Sequence, residues 1–550
     1  MKMIKVTFPD NRTEELPPET KGFQILDRFS VNPESIIAIR INNEICSLDL
    51  PITIRANLEP VTIQNSDGMN IYRRSLCFVL GTAASELFPE KNLVVGHSLG
   101  YGYYYTLGNN GKISEEDIAK LYERMKEIIR ADEVITTEYI AYDEALELFD
   151  SKGSYSTSLI LHTLSSPRVK INRCRNFKDI SYAPLCYKTG ILSVFELVPY
   201  QEGFLLRFPP TILVNKLSAF EDIPQLFSVY STYKKWGKEI GVSFVGELNE
   251  KVNSKQIKEF IEITETLQTK KISEISDMIL SREKVKVVLI AGPSSSGKTT
   301  TSKKLSMQLR VNGYEPRVIE LDNYFVGREK TPRDKNGNFD YECLEALDIE
   351  LLNQNLLDLF AGREIELPAY DFVKGIQYKS GKKLHLNEKS ILILEGIHGL
   401  NDKLTPLIPS EKKFKLYLSA LTQLNLDDHN RIPTRDNRLI RRIVRDSNFR
   451  GKNAADTIKM WPNVLAGERK HIFPYQDKAD VMFNSALDYE LGVLKVYAEP
   501  LLRMVKPTQK EFSEASRLLA FLNNFLPISS SYVPGQSIVR EFIGGSDFKY

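Results

Sequence analysis

The sequence predicts a multidomain α/β protein, and three patterns along the chain carry that prediction. Residues 3–8 and 36–64 alternate apolar and polar side chains with the period of half-buried strands. Residues 70–150 switch to helical spacing, and 151–225 return to short strand-like runs. From Val285 to about residue 500 the pattern is strand, Gly-rich loop, helix, strand, repeated, which signals a parallel sheet covered by helices.

The front of the chain justifies the first of these. Met3–Phe8 reads as a strand, Pro9-Asp10-Asn11 as a turn, and a second short strand follows. Ile36–Ile41 and Val61-Thr-Ile add further strands, giving a small mixed β domain. Behind it, Ser114-Glu-Glu-Asp-Ile supplies a helix start, with Ser114 as N-cap and carboxylates in the first turn. Asp143–Phe149 is a second helical run. Residues 226–282, rich in Lys, Glu, Ile and Leu, read as a mainly helical connector, and 507–550 as one helix-like run with a polar Gly/Ser-rich end. The expected boundaries are 1–65, 66–225, 226–282, 283–505 and 506–550.

Composition bounds the function classes. At roughly 100–200 residues per domain, a 550-residue chain holds several domains. Its 42% hydrophobic and 26% charged content is that of soluble globular protein. Lys plus Arg (73) nearly balances Asp plus Glu (71), so there is no global push toward nucleic acid or anionic membrane. Cys46, Cys77, Cys174, Cys186 and Cys343 form no C-x-x-C pair, which argues against a disulfide framework and a cysteine-rich zinc site and fits a reducing cytoplasm. The first ten residues lack a signal-peptide core, and no apolar run reaches the ~18 residues of a membrane span.

The chemistry is concentrated after residue 285. Val285–Ala291 is a near-continuous apolar run that leads directly into Gly292-Pro-Ser-Ser-Ser-Gly297-Lys298-Thr299. This is G-x-x-x-x-G-K-[ST] with a strand before it and a helix after it, the setting that a phosphate-binding P-loop requires. Gly292 and Gly297 permit backbone geometry that a Cβ forbids. Backbone N–H groups from Ser294, Ser295, Ser296 and the helix start at Thr300 then point at anionic phosphate. Lys298 reaches the β- and γ-phosphates of ATP, and the Thr299 hydroxyl ligates Mg²⁺.

Two carboxylates follow at strand ends. Pro316–Leu321 ends in Asp322-Asn-Tyr-Phe, and the C-terminal end of a parallel strand faces the ligand crevice. Asp322 is placed either to accept the proton of an attacking hydroxyl or to hold a Mg²⁺-bound water. Ser390–Leu394 ends in Glu395, the expected metal partner of Thr299. Arg438, Arg441, Arg442 and Arg445 then recur at i, i+3, i+4 and i+7, one face of a helix. Like charges so spaced repel unless an anion faces them, and arginine forks match phosphate oxygens, so the helix reads as a lid over ATP.

With these motifs assembled, residues 283–505 resemble uridine kinases of the uridine kinase/phosphoribulokinase superfamily. The resemblance rests on the P-loop, Asp322-Asn-Tyr-Phe, Phe339-Asp340, Pro368-Ala-Tyr370-Asp371-Phe372, Leu394-Glu395-Gly-Ile and the arginine helix. It implies ATP- and Mg²⁺-dependent phosphorylation of a ribose 5′-hydroxyl. Asp322, Lys298 and Arg441 take catalytic roles by that resemblance, Asp340 binds ribose hydroxyls, Tyr370 contacts the base, and Arg438 sits at the substrate. Arg442 and Arg445 join the P-loop in binding ATP, and the kinase core is implied to be a homo-oligomer. Two departures bear on specificity. The His that follows Tyr-Asp-Phe in the pyrimidine kinases is absent from Val373-Lys-Gly-Ile-Gln377, and the family's Arg-Gly-Arg reads Arg450-Gly-Lys452.

The front half resembles a different family. Residues 1–65 are similar to the TGS domain, a β-grasp module, of threonyl-tRNA synthetases, and residues 66–200 to the editing domain that follows it. Asn70–Ser75, Leu80-Gly-Thr-Ala-Ala, Gly100–Tyr105, Ile113–Ile118 and Phe177–Ile180 carry the likeness. Editing chemistry needs an H-x-x-x-H and a C-x-x-x-H pair, but those positions are Arg74 and Phe78, and Ser181 and Leu185. Neither metal binding nor hydrolytic editing is expected there, and the isolated His97 reads as structural. The front half therefore reads as a binding or regulatory module, and the balanced net charge gives RNA little support as its ligand. Three readings stay open: a nucleoside kinase, a superfamily kinase acting on a sugar phosphate or pantothenate-like alcohol, and a tRNA-sensing regulatory P-loop ATPase.

Overall fold

The computed structural model describes residues 3–108, 112–163, 166–211, 214–333, 337, 339–371 and 374–549. Phe372 and Val373, both part of the acceptor-side segment compared above, lie outside the described residues. The chain forms two compact units that do not follow simple chain order. The first comprises Met1–Ser254, Gln423–Pro433 and Glu499–Pro527, and the second Lys255–Thr422, Thr434–Ala498 and Ile528–Tyr550.

The first unit begins with strands β1 (Ile4–Thr7), β2 (Thr13–Leu16), β3 (Thr20–Lys21), β4 (Ile36–Ile41), β5 (Glu44–Cys46), β6 (Pro51–Ile52) and β7 (Ala56–Thr62). Five of them form a mixed sheet in the order β2-β1-β7-β4-β5, with β1 and β7 parallel. The β4–β5 turn uses Asn42 and Asn43 at φ of 49° and 64°. That geometry matches the twist of a two-residue hairpin, and Asn tolerates it better than other side chains. Alternation puts Ile4, Val6, Phe8 and Leu16 into one core with Ile39 and Leu58.

Helix α1 (Ser66–Leu87) follows, its N-terminus closed by the Asn65 side chain accepting from Gly68 N–H. Strands β8 (Leu93–Ser98) and β9 (Gly102–Leu107) precede α2 (Glu115–Arg130), which is capped by Ser114 with Glu115, Glu116 and Asp117 in its first turn. Then come β10 (Thr136–Ala141), α3 (Tyr142–Ser151), α4 (Tyr155–Leu161), β11 (Arg168–Cys174), β12 (Phe177–Ile180), β13 (Glu196–Tyr200) and β14 (Gly203–Arg207). They build one sheet of order β13-β14-β9-β8 and another of order β10-β11-β12. Helix α4 lies where only strands are expected. Its Ser/Thr-rich sequence is a poor helix former, but Ser156 to Leu161 are all buried and the Ser156 hydroxyl is tied to Asp428 at 2.7 Å. Tertiary bonding overrides local preference there.

The expected helical connector divides between the units. Helices α5 (Pro224–Glu239) and α6 (Val245–Asn253) fall in the first, and α7 (Ile257–Leu280) opens the second. The second unit continues with β15 (Val287–Ala291), α8 (Lys298–Val311), β16 (Glu315–Glu320), α9 (Ile349–Phe360), the hairpin β17 (Ile365–Asp371) and β18 (Ile376–Leu384), β19 (Ser390–Glu395) and β20 (Lys413–Ser419). Helices α10 (Thr434–Phe449) and α11 (Ala454–His471), strand β21 (Val481–Asn484) and helix α12 (Glu490–Arg503) complete its sheet region. Helix α13 (Phe512–Leu522) belongs to the first unit, and the short α14 (Arg540–Ile543) to the second.

The central sheet of the second unit has the order β16-β19-β15-β20-β21, and every pairing in it is parallel. All five residues of β15 and all six of β19 are buried, as strands covered on both faces must be. The carboxyl ends of β15, β16 and β19 lie side by side, which positions the loops that carry the motifs. No helix among the described residues is long and apolar enough to cross a membrane.

Candidate active site

The loop after β15 owes its shape to a few backbone constraints. A Cβ at Gly292 would stand 2.4 Å from the Leu418 carbonyl oxygen, so only glycine fits. Gly297 is left-handed at φ 81° and leads into α8 without any side-chain cap of its own. Ser295 also takes a positive φ of 59°, a costly conformation for a residue with a side chain, of the kind that recurs at ligand clamps. Lys298 folds back so that its Nζ donates to the Gly292 carbonyl at 3.1 Å and the Pro293 carbonyl at 3.3 Å.

Thr299 lies on the first turn of α8 and donates its hydroxyl to Glu395 Oε1 at 2.8 Å. Burial pushes the Glu395 carboxyl up to about 8, with Lys298 pulling down and Asp322 and Glu320 pushing up further. A buried carboxylate crowded by other carboxylates is a setting that a hard divalent ion relieves. Thr299 and Glu395 therefore fit Mg²⁺, and Asp322, exposed just beyond β16, faces the same cluster.

Arg438, Arg441, Arg442 and Arg445 of α10 do not share one role. Arg438 is 3% exposed, pairs with the fully buried Glu468 and donates Nε to the Ser294 carbonyl at 2.9 Å. Arg441 is fully buried and pairs with Glu490 through Nε at 2.8 Å and Nη2 at 2.6 Å, while Nη1 reaches the Ser295 carbonyl at 3.2 Å. Arg442 donates to the Ser294 hydroxyl at 2.8 Å. Arg445 is half-buried and pairs with Asp446 at 2.8 Å. The i, i+3, i+4 arginines thus fasten α10 to the underside of the P-loop. Arg438, expected at the acceptor, is placed beneath Ser294, and Arg441, expected at the reacting phosphate, is placed against Glu490.

On the acceptor side, Asp340 accepts from the Glu342 N–H at 3.1 Å. Tyr370 is nearly buried, its ring 5.5 Å from that of Phe325. Two further groups carry no motif in the sequence. Glu342 is pushed up to about 7 by burial with Glu468 adding, while Arg442 and Lys298 oppose it. His398, three residues beyond Glu395, is 2% exposed, its ring 6.2 Å from that of His471. Burial, with His471 adding, pulls it down to about 4, so it is neutral. Glu468 receives the Ser294 N–H at 3.1 Å as well as Arg438. A lone Glu in a helix gives no sequence signal; only the fold brings it under the loop.

In the synthetase-like region, Arg74, Phe78, Ser181 and Leu185 make the following contacts. Arg74 donates to the Pro184 carbonyl at 3.3 Å, and Phe78 packs on Phe177 with ring centroids 5.1 Å apart. Ser181 N–H is bonded to the Lys170 carbonyl and Leu185 is buried. His97 is buried against Tyr230 at 5.5 Å and pulled down to about 3 by burial, with Arg431 adding. Around these residues lies Gln423–Pro433, the segment that separates β20 from α10. Asn425 Nδ2 donates to the Val95 carbonyl at 2.7 Å, Tyr182 donates to Asp427 at 2.8 Å, and His429 meets Asp179 at 3.1 Å. Arg431 lies over the Tyr103 ring at 5.0 Å. Residues 423–433 thus bond to and pack on this region.

Residues 287–491 match the model of the Phosphoribulokinase / Uridine kinase family. The matched stretch coincides with the parallel sheet and the loops just described. The N-terminal region matches threonine–tRNA ligases: that of Ehrlichia ruminantium (strain Gardel) is 30% identical over 207 residues, covering 36% of this chain and 33% of the ligase. That of Streptococcus equi subsp. zooepidemicus (strain H70) is 31% identical over 199 residues, covering 36% of this chain and 31% of the ligase. The chain spans about a third of the length of these relatives. Among solved structures, a "possible uridine kinase" from Bacillus stearothermophilus is 23% identical with a TM-score of 0.27, covering 39% of this chain and 98% of that one. D-glycerate 3-kinase from Cryptococcus neoformans is 12% identical with a TM-score of 0.21, covering 46% and 87%.

Proposed function

We propose that the protein is an ATP-dependent kinase that transfers the γ-phosphoryl group to the 5′-hydroxyl of a nucleoside. The observation that carries this reading is the placement of Asp322 beside the Thr299–Glu395 pair, beyond the end of a strand paired with β19. A phosphate cradle alone serves many ATPases. An exposed carboxylate set next to the Thr299–Glu395 pair suits an acceptor hydroxyl.

In this reading ATP supplies the phosphoryl group, and Mg²⁺ held by Thr299 and Glu395 offsets its charge. Lys298 leaves the Gly292 and Pro293 carbonyls to reach the phosphates. Asp322 holds the acceptor hydroxyl and accepts its proton. Asp340 takes hydrogen bonds from sugar hydroxyls, and Tyr370 offers an aromatic edge to a base. Of the four arginines at 438, 441, 442 and 445, Arg445 is least committed to the loop, and it closes on phosphate from outside; Arg438 and Arg441 act by holding the loop in shape.

Full-length protein with Mg²⁺·ATP and a panel of nucleosides, sugar phosphates and pantothenate tests the reading. Phosphorylated nucleoside is the expected product, with uridine tried first. Transfer only to a sugar phosphate or to pantothenate would reassign the acceptor. ATP hydrolysis stimulated by tRNA without any transfer would overturn the kinase reading.

A further inference from the structure

Helix α8 has no side-chain cap from its own N-terminus, where Gly297 stands in the left-handed region. Its first-turn N–H groups therefore lack a local acceptor and carry the positive end of the helix dipole. One of them has found a partner far away in sequence. Thr300 N–H donates to Glu541 Oε2 at 3.2 Å, and the Thr300 hydroxyl donates to the same oxygen at 2.6 Å. Thr300 is fully buried, and Glu541 is half-buried on α14.

The segment that carries Glu541 is anchored independently of that contact. Ile538, Val539 and Phe542 are fully buried. A Cβ at Gly297 would stand 2.6 Å from Ile538 Cγ2, so the segment lies directly on the P-loop glycine. The Phe542 ring faces the Arg441 guanidinium at 5.1 Å, and Ser537 meets the Tyr489 hydroxyl at 3.1 Å. The backbone is thus held by apolar packing, whereas the Glu541 side chain is free to swing from an anchored base.

We propose that the Glu541 carboxylate is a built-in competitor for nucleotide phosphate at Thr300. A carboxylate and a phosphate oxygen satisfy the same N–H and hydroxyl, and two anions do not share one helix end. Nucleotide binding then requires Glu541 to turn away, and the affinity for ATP is set partly by that displacement. This rests on the reading of the P-loop as a nucleotide site.

The test measures Mg²⁺·ATP and Mg²⁺·ADP binding to the full chain by calorimetry for wild type, Glu541→Gln, Glu541→Ala and Lys298→Ala. Both Glu541 variants are expected to bind about two- to fivefold more tightly, the range of one charge at a helix end. Lys298→Ala is expected to lose binding. Unchanged or weaker affinity in both Glu541 variants, with binding still dependent on Lys298, overturns the competitor and leaves the nucleotide reading intact. ATP that does not bind wild type or either Glu541 variant overturns both.

Discussion

The Thr299 hydroxyl and the Glu395 carboxylate meet at 2.8 Å and tie the first turn of α8 to the end of β19. The two residues are far apart in sequence and belong to different motifs, so their contact shows that the parallel sheet assembles one site. Removing Lys298, which faces this pair, is expected to abolish phosphoryl transfer. Lys298→Ala should leave the melting temperature close to wild type, because its hydrogen bonds go to two loop carbonyls. Full transfer activity in that variant would falsify the P-loop assignment.

Asp322→Asn separates chemistry from binding. The side chain is exposed and next to the metal pair, so its loss should lower kcat by about 10²–10⁴-fold while ATP affinity changes little. Steady-state kinetics beside direct ATP titration reads the split. Equal losses in both would assign Asp322 to nucleotide binding.

Arg441 and Glu490 form an ion pair in which the arginine is fully buried. Glu490→Ala strands that guanidinium without a countercharge, a change that costs about 3–5 kcal/mol. A large fall in melting temperature is expected, together with loss of ATP binding as the Ser295 carbonyl loses its brace. An unaltered melt would mean that the pair is not what holds α10 to the loop.

Gly292→Ala tests the close approach of backbone to backbone. Its new Cβ would lie 2.4 Å from the Leu418 carbonyl oxygen, so the loop or β20 must shift. Destabilisation of about 1–3 kcal/mol, the cost of overpacking, and weakened ATP binding are expected in denaturant melts and calorimetry. Wild-type values for both would show that the loop tolerates the methyl group.

His429 gives the first unit a pH dependence. Burial pulls the imidazole down, but the charge and hydrogen bond of Asp179, with Asp427 and Asp428 adding, raise it to about 9. Lys152, Tyr182 and Asn430 complete its charged and polar surroundings. The folded state therefore holds a proton that the unfolded chain releases near its ordinary value of 6.5. This contribution is fully present below pH 6.5 and lost as pH rises through about 9. The imidazole is 29% exposed, so the loss is about 1 kcal/mol. Melts at pH 6 and pH 9 should show the fall in wild type and a smaller one in His429→Gln; equal falls would remove His429 as the cause.

Much of this was legible in residue order. Gly292, Gly297, Lys298 and Thr299 announce a phosphate loop because a bare backbone and one lysine are needed at fixed spacing, whatever surrounds them. The strand-end carboxylates Asp322 and Glu395 were legible for a related reason: a parallel sheet delivers its strand ends to one edge. Alternation and caps, such as Asn65 and Ser114, likewise act within a few residues.

The remainder was decided by tertiary contact. Helical spacing puts Arg438, Arg441 and Arg442 on one face but does not say that Glu468 and Glu490 wait there to neutralise them. Nothing local marks Glu541 as the acceptor for Thr300, or Asp427 and His429 as the partners of Tyr182 and Asp179. Sequence alone pointed to a parallel sheet behind a P-loop motif and to a front half similar to threonyl-tRNA synthetases. Only the folded chain chose the partners of its buried charges, because desolvation makes each find a countercharge wherever the fold brings one within a few ångströms.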